Sequence, residues 1–172
     1  KAKRGQKVKV GIVAKYLDNE DTYFSVIEAL KHASAKLNLN LNYHWLDAEK
    51  ITKQNVADKL KDYDAILVPG GFGERGVEGK ISTASYCLES DKPYLGLCLG
   101  MQVAAIAAAR KTLGDNSVTS QELEAKAKHQ IIHIIEDKKY VENIGGTLRL
   151  GSCPAKLKPG SRASKLYGKD KI

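Results

Sequence analysis

The chain has 172 residues, of which 42% are hydrophobic, and its formal net charge is +8. This length suits one α/β domain with a sizeable core, and no stretch reaches the roughly 20 apolar residues that are needed to span a bilayer. The basic start of the chain lacks a small-residue cleavage site, so we expect a cytoplasmic protein without a membrane segment.

Charge and cysteine placement narrow the class of protein further. The lysines are interspersed with acidic residues and form no basic stripe with aromatic side chains, which argues against a nucleic-acid partner. The densest basic run, at 1–7, reads as a linker or arm ahead of a domain at 8–172. Cys87, Cys98 and Cys153 are widely spaced, which favours neither a disulfide framework nor a metal site.

Strand and helix patterns alternate along the first two thirds of the chain. Apolar runs at 8–14, 65–68 and 94–97 and an alternating pattern at 39–46 predict strands. Helical spacing of apolar residues predicts helices at 23–37, 56–60, 80–89 and 99–113. Such alternation is typical of a flavodoxin-like, doubly wound, mostly parallel sheet with helices on both faces. Strand candidates at 131–135 and 146–150 then predict an antiparallel β excursion.

The sequence Gly-Leu-Cys-Leu-Gly at 96–100 lies between a predicted strand and a predicted helix. A nucleophile elbow requires this strand, turn and helix order, and the flanking glycines remove side chains that would clash with the helix. The helix N-terminus would favour the Cys98 thiolate, which is the attacking species. The alternative is that Cys98 is a small core residue, which is how we interpret Cys87 and Cys153.

Acyl transfer also needs backbone N–H groups aimed at the oxyanion of the tetrahedral intermediate. The N–H of Leu99, next after the nucleophile, is a natural donor. The glycine-rich loop at 69–79 follows a strand that should neighbour the cysteine strand, so it would open at the same edge of the sheet. Phosphate binding is a second reading of this loop, although it lacks both common phosphate-loop spacings.

These residues resemble the class I glutamine amidotransferases, and the match is close to the C-terminal glutaminase domain of the CTP synthase family. The resemblance is carried by five segments in order: VGIVAKY at 10–16, SVIEALKHA at 25–33, DAILVPGGFGERGVEGK at 64–80, PYLGLCLGMQVA at 93–104 and GGTLRLG at 145–151. It implies that Cys98 is the nucleophile of glutamine hydrolysis, with the N–H groups of Gly70 and Leu99 as the oxyanion hole.

The resemblance further implies residues that hold glutamine and residues that close over it. Gly71, Phe72, Gln102 and Glu122 match substrate-binding positions. Around Glu122 the sequence Thr-Ser-Gln-Glu replaces the usual Asn-Ser-Thr-Glu, and an exposed helix-start glutamate is the alternative interpretation. The matches to a lid that responds to the GTP effector are Arg75, Gly76 and Glu78. Lys15, Tyr16 and Ser25 also match family positions, without a role that we can derive.

The family also implies partners and further groups. We expect L-glutamine as substrate, no cofactor in this domain, and a separate N-terminal synthase domain that uses ATP, Mg²⁺ and UTP in a homo-oligomer, a tetramer when full length. The family's triad histidine and glutamate, in a His-Pro-Glu sequence, would fall beyond Ile172, so we expect a truncated domain with little turnover of its own. None of His32, His44, His129 and His133 has a motif that places it beside Cys98.

Two alternatives from other classes stay open at this point. One is a cysteine hydrolase of similar fold that resembles intracellular proteases, against which Gln102 and the loop at 69–79 argue. The other is a non-catalytic domain that keeps the fold for regulation or assembly.

Overall fold

The computed structural model describes residues 5–15, 17, 20–134 and 154–172. They fall into two compact units, the first ending at Ile134 and the second running from Ile135 to Ile172. The strands of the first unit are β1 (Gln6–Ala14), β2 (Leu39–Asp47), β3 (Ala65–Val68), β4 (Tyr94–Gly96), β5 (Thr119–Ser120) and β6 (Gln130–Ile132). Its helices are α1 (Phe24–Lys36), α2 (Val56–Leu60), α3 (Val77–Glu89) and α4 (Leu99–Leu113).

The first four strands form one parallel sheet in the order β2-β1-β3-β4. This is the strand order of a flavodoxin-like sheet, and it confirms the predicted fold class. Parallel strands end at the same edge, so the segments that follow β1, β3 and β4 lie beside one another there. These segments begin at Lys15, Pro69 and Leu97, and they carry the predicted site residues.

Helices cover both faces of the sheet because side chains alternate along each strand. On one face, Ile12 and Leu67 pack with Ile27 of α1. On the other face, Ile66 and Val68 belong to a larger cluster with buried residues of α2, α3 and α4. The site at the carboxyl edge is therefore built on strands that are buried on both sides.

Most predicted elements agree with the structure, and their bounds differ from the prediction by at most three residues. The strand β1 begins at Gln6, so Gln6 and Lys7 pair with β2 and belong to the sheet rather than to a linker. The helix α3 begins at Val77 rather than at residue 80. Strand β4 is one residue shorter than predicted, because Leu97 already belongs to the turn before α4.

The region after residue 116 differs in part from the prediction. The strands β5 and β6 pair in parallel, not antiparallel, with Thr119 opposite Gln130. The predicted strand at 146–150 lies outside the described residues, as does residue 135 at the end of the other candidate, so their antiparallel pairing stays a prediction.

The second unit is described from residue 154 onward. The helix α5 (Arg162–Tyr167) is capped by Ser161, whose hydroxyl oxygen accepts a hydrogen bond from the Ser164 N–H. An antiparallel bridge joins Lys156 and Lys171. This bridge closes the segment into a short loop around α5.

Candidate active site

Cys98 stands at a sharp turn between β4 and α4. Its φ is 51° and its ψ is −111°, a backbone conformation that side-chain-bearing residues rarely adopt. Such strain is typical of the elbow that presents a nucleophile above a parallel sheet. The residue is exposed and is the N-cap of α4, so its sulfur lies at the helix end that favours negative charge.

The two glycines of the elbow allow a close approach of backbones. A Cβ on Gly96 would lie 2.4 Å from the Gly100 carbonyl carbon. A Cβ on Gly100 would lie 1.9 Å from the backbone oxygen of Val68, in β3. The sequence motif is therefore explained by packing, because only glycine lets the first turn of α4 rest against the sheet.

Hydrogen bonds hold the elbow in place. The Leu97 N–H donates to the Val68 carbonyl at 2.9 Å, and the Gly100 N–H donates to the Leu97 carbonyl at 2.8 Å. The Tyr94 hydroxyl donates to the Gly100 carbonyl at 2.7 Å. Burial raises the pKa of Tyr94, so this phenol stays a donor at neutral pH.

The loop after β3 touches the cysteine directly. A Cβ on Gly70 would lie 3.2 Å from the Cys98 Cβ and 3.8 Å from its sulfur. No hydrogen bond among the described residues takes the N–H of Gly70 or of Leu99, which is the first residue of α4. The structure thus places the predicted nucleophile, Cys98, beside Gly70 and Leu99, and neither N–H is taken by another described group.

Gly71 and Phe72 continue the same loop. The Phe72 side chain is 42% exposed, so it is free to contact a ligand above the sheet. The Phe72 carbonyl accepts a hydrogen bond from the ammonium group of Lys15, which also reaches the Gly73 carbonyl at 3.4 Å. Lys15 is itself buried, at 6% exposure, at the end of β1.

A second buried lysine lies under this loop. Lys80, on α3, has no exposed surface, and its Nζ lies 3.4 Å from the Pro69 carbonyl oxygen. Burial, together with the charge of Lys15, lowers the pKa of Lys80 from 10.5 to about 8, and the Cys98 thiolate partly opposes this shift. Lys80 was not among the residues predicted to belong to the site. Its position among the apolar residues Val77, Ile81 and Ala84 of one helix face was the available signal.

The three residues matched to a lid occupy different places. Arg75 lies in the loop, where its guanidinium contacts the Glu49 carboxylate at 3.1 Å and the Lys15 carbonyl at 3.5 Å. Gly76 is the N-cap of α3, with a φ of 73°. Glu78 belongs to the first turn of α3 and not to a loop, and both of its oxygens accept from Arg110 at 3.0 Å.

The other two matched positions are less closely tied to the elbow. Gln102 lies in the first turns of α4, and its N–H donates to the Cys98 carbonyl at 3.1 Å. Glu122 is exposed in a turn after β5, not at a helix start. Within the described part of the chain, no hydrogen bond or ion pair joins its side chain to Cys98 or to the loop.

The remaining cysteines and histidines are placed elsewhere. Cys87 is buried on α3, and burial raises the pKa of its thiol to about 11, which makes it inert. Cys153, Tyr16 and the segment at 135–153 lie outside the described residues, and Ser25 is exposed on α1. His129 pairs with Asp115 beyond the far end of α4, and His44 packs against Tyr63. No described histidine hydrogen-bonds to Cys98.

The described residues contain neither a cluster of metal ligands nor a membrane-spanning helix. No group of three or more histidine, cysteine or acidic side chains there could hold a metal ion. No helix in the same residues is long and apolar enough to cross a membrane.

The family model of class I glutamine amidotransferases matches residues 18–169. The chain therefore belongs to that family.

Among curated proteins, the CTP synthases of Listeria innocua and Geobacillus kaustophilus are each 48% identical to the chain, over 163 and 164 residues. Each match covers 95% of this chain, which spans 31% of the length of either relative. Among solved structures, the Trypanosoma brucei CTPS glutaminase domain with bound acivicin has a TM-score of 0.85 and 33% identity to this chain. That match covers 96% of this chain and 64% of the other.

Proposed function

We propose that this domain hydrolyses the side-chain amide of L-glutamine through a thioester on Cys98, and that it serves as the glutaminase domain of a CTP synthase. The carrying observation is the elbow itself, in which a strained, exposed cysteine faces a glycine loop with an unused N–H on each side. The identity with curated CTP synthases supports the choice of this branch of the family.

The chemistry follows from the placement of the groups. The Cys98 thiolate attacks the amide carbon, and the N–H groups of Gly70 and Leu99 stabilise the oxyanion that forms. The carbon–nitrogen bond then breaks, ammonia leaves with an added proton, and a γ-glutamyl thioester is left on the sulfur. Water cleaves the thioester, so that glutamine and water give glutamate and ammonia.

Several residues are proposed around this step. Gly71, Phe72, Gln102 and Glu122 would hold the glutamine, and Glu122 would accept from its ammonium group. Arg75 and Gly76 would form the lid, and Glu78 would support the start of α3 beneath it. The family's triad histidine would protonate the departing ammonia and later activate water, and its triad glutamate would orient that histidine.

The larger reaction is a proposal from the same relatives. Ammonia would pass to a synthase domain that uses ATP and Mg²⁺ to convert UTP into CTP, with GTP as effector, in a homo-oligomer. The matched length of 31% of each curated relative leaves room in those proteins for such a domain.

Covalent labelling tests the site without requiring turnover. We expect acivicin to modify Cys98 and neither Cys87 nor Cys153, as mapped by peptide mass spectrometry. L-Glutamine should protect Cys98, whereas L-asparagine, one methylene shorter, should not.

Two variants sharpen this experiment. Cys98→Ala should abolish labelling, and the matched variant Cys87→Ala should label as the unaltered protein does. Labelling that survives Cys98→Ala, or that glutamine does not slow, would contradict the proposal and favour a cysteine hydrolase of another specificity.

A further inference from the structure

Two buried ammonium groups hold the loop that follows β3, one at each end. Lys80 reaches the Pro69 carbonyl from α3, and Lys15 reaches the Phe72 and Gly73 carbonyls from the end of β1. Their exposures are 0% and 6%. Lysine is rarely buried to this extent, so the arrangement calls for a physical reason.

The burial of Lys80 is unfavourable for the fold taken alone. A buried ammonium group is stable when a carboxylate pairs with it, yet none lies within ion-pair distance of Lys80 among the described residues. Its contact is a backbone carbonyl at 3.4 Å. The lowered pKa of Lys80 reflects this cost, which the negative charge of a Cys98 thiolate partly offsets.

The geometry of the peptide unit turns this contact into control of a neighbouring donor. The described chain has no cis peptide bond, so the Pro69 carbonyl and the Gly70 N–H point in opposite directions within one rigid plane. A group that holds the carbonyl on the α3 side therefore directs the N–H away from α3. A Cβ on Gly70 would lie 3.2 Å from the Cys98 Cβ, so this peptide unit is beside the thiol, and its N–H is the oxyanion donor proposed above.

We propose that Lys80 is a positioning residue of the oxyanion hole, which holds the Pro69 carbonyl and so aims the Gly70 N–H at the amide oxygen of the substrate. Lys15 fixes the far end of the same loop. This inference rests on the proposed glutaminase function and names the support on which its oxyanion hole depends.

The test compares two reagents on Cys98 in the whole polypeptide that carries this domain. 6-Diazo-5-oxo-L-norleucine places a ketone where glutamine has its amide, so its reaction uses the oxyanion hole. Iodoacetamide reacts by displacement at a saturated carbon and needs only the thiolate. The ratio of the two labelling rates therefore cancels any change in the fraction of thiolate.

We expect Lys80→Met to lower this ratio by about tenfold to a hundredfold, which is less than the roughly hundredfold to thousandfold cost of removing an oxyanion donor, because the Gly70 N–H is misdirected and not removed. The melting temperature should not fall, because the variant removes an unpaired buried charge. The matched control is Lys92→Met, since Lys92 also donates to two backbone carbonyls, those of Lys61 and Tyr63, at the other end of β4. That variant should leave the ratio unchanged.

The outcomes separate the two proposals. If 6-diazo-5-oxo-L-norleucine labels Cys98 of the unaltered protein no faster than it labels an exposed loop cysteine, the proposed function fails. If that labelling is selective but Lys80→Met keeps the ratio, or loses it together with a large drop in melting temperature, the role of Lys80 fails. Lys80→Leu repeats the measurement with a second apolar side chain and should give the same ratio as Lys80→Met.

Discussion

At the scale of single residues, the elbow shows how closely sequence and geometry are linked. The glycines at 96 and 100 were readable as a motif because no side chain fits between the turn and the sheet. The positive φ of Cys98 and the approach of Gly70 follow from that packing. These packing constraints are the reason that the strand, turn and helix of the elbow could be predicted from the glycine pattern.

Gly100→Ala tests the packing explanation. The added methyl group would lie 1.9 Å from the Val68 oxygen, so we expect a loss of about 2 to 3 kcal/mol in the free energy of unfolding. Gly114→Ala is the matched control, because Gly114 has a φ of 64° but open space around it, and its cost should be about 1 kcal/mol. Urea unfolding measures both. A smaller loss for Gly100→Ala than for Gly114→Ala would contradict the steric argument.

Lys80 was missed for a physical reason. Lysine on a helix surface is ordinarily solvated, and a single lysine among apolar positions looks like an irregularity in the pattern. Its meaning depends on the contact with the Pro69 carbonyl, which lies 11 residues earlier in the chain and which apolar periodicity does not show. Only the packed structure brings the two together.

At the scale of elements, the helices and strands with strong apolar patterns were predictable, whereas helix starts were less so. The helix α3 follows Gly76 and has Glu78 and Gly79 in its first turn, so apolar periodicity alone placed its start three residues late. The start is fixed instead by tertiary contacts. A Cβ on Gly79 would lie 1.9 Å from the Ala48 oxygen, which shows how closely α3 packs against the segment after β2.

An ion pair joins α3 to α4 and can be tested by substitution. Arg110 is only 12% exposed at its side chain, and it donates to both Glu78 oxygens and to the Val118 carbonyl. We expect Arg110→Met to cost about 1 to 3 kcal/mol of unfolding free energy, because the Val118 carbonyl also loses its donor. Glu78→Gln should cost less than about 1 kcal/mol, since Glu78 is mostly exposed and the amide still accepts.

Chemical denaturation of the two single variants and the double variant gives the coupling energy. If Glu78→Gln lowered the free energy of unfolding as much as Arg110→Met, the Glu78 carboxylate would be the main contributor to the contact between α3 and α4. The assignment of the Val118 contact would then be wrong.

At the scale of the whole molecule, Lys80 links stability to pH. Its pKa is about 8 in the folded state, against an ordinary value of 10.5. Below pH 8 both states are protonated and the folded state carries the full cost of the buried charge, about 3 kcal/mol. Between pH 8 and 10.5 the unfolded state holds more protons, so stability rises with pH until the cost is gone.

Lys80→Met should therefore be about 1 to 3 kcal/mol more stable than the unaltered protein at pH 7, after allowance for the lost hydrogen bond. This advantage should shrink as the pH rises from 8 to 10.5. Urea titrations of both proteins at several pH values measure the difference, and all other titrating groups cancel. A difference that is constant with pH would show that Lys80 is not a buried cation.

The strand order also has a consequence for when the thiol becomes reactive. Cys98 follows β4, the last strand of the four-stranded sheet, and its surroundings include the ends of β1 and β3 and the whole start of α4. Parallel pairing leaves each of these neighbours to be joined across a helical crossover. During synthesis on a ribosome, the elbow therefore has no support until α4 has emerged. We expect Cys98 to have the reactivity of an ordinary thiol in a nascent chain that ends before Leu113. Any higher reactivity should then arise only when α4 completes the elbow.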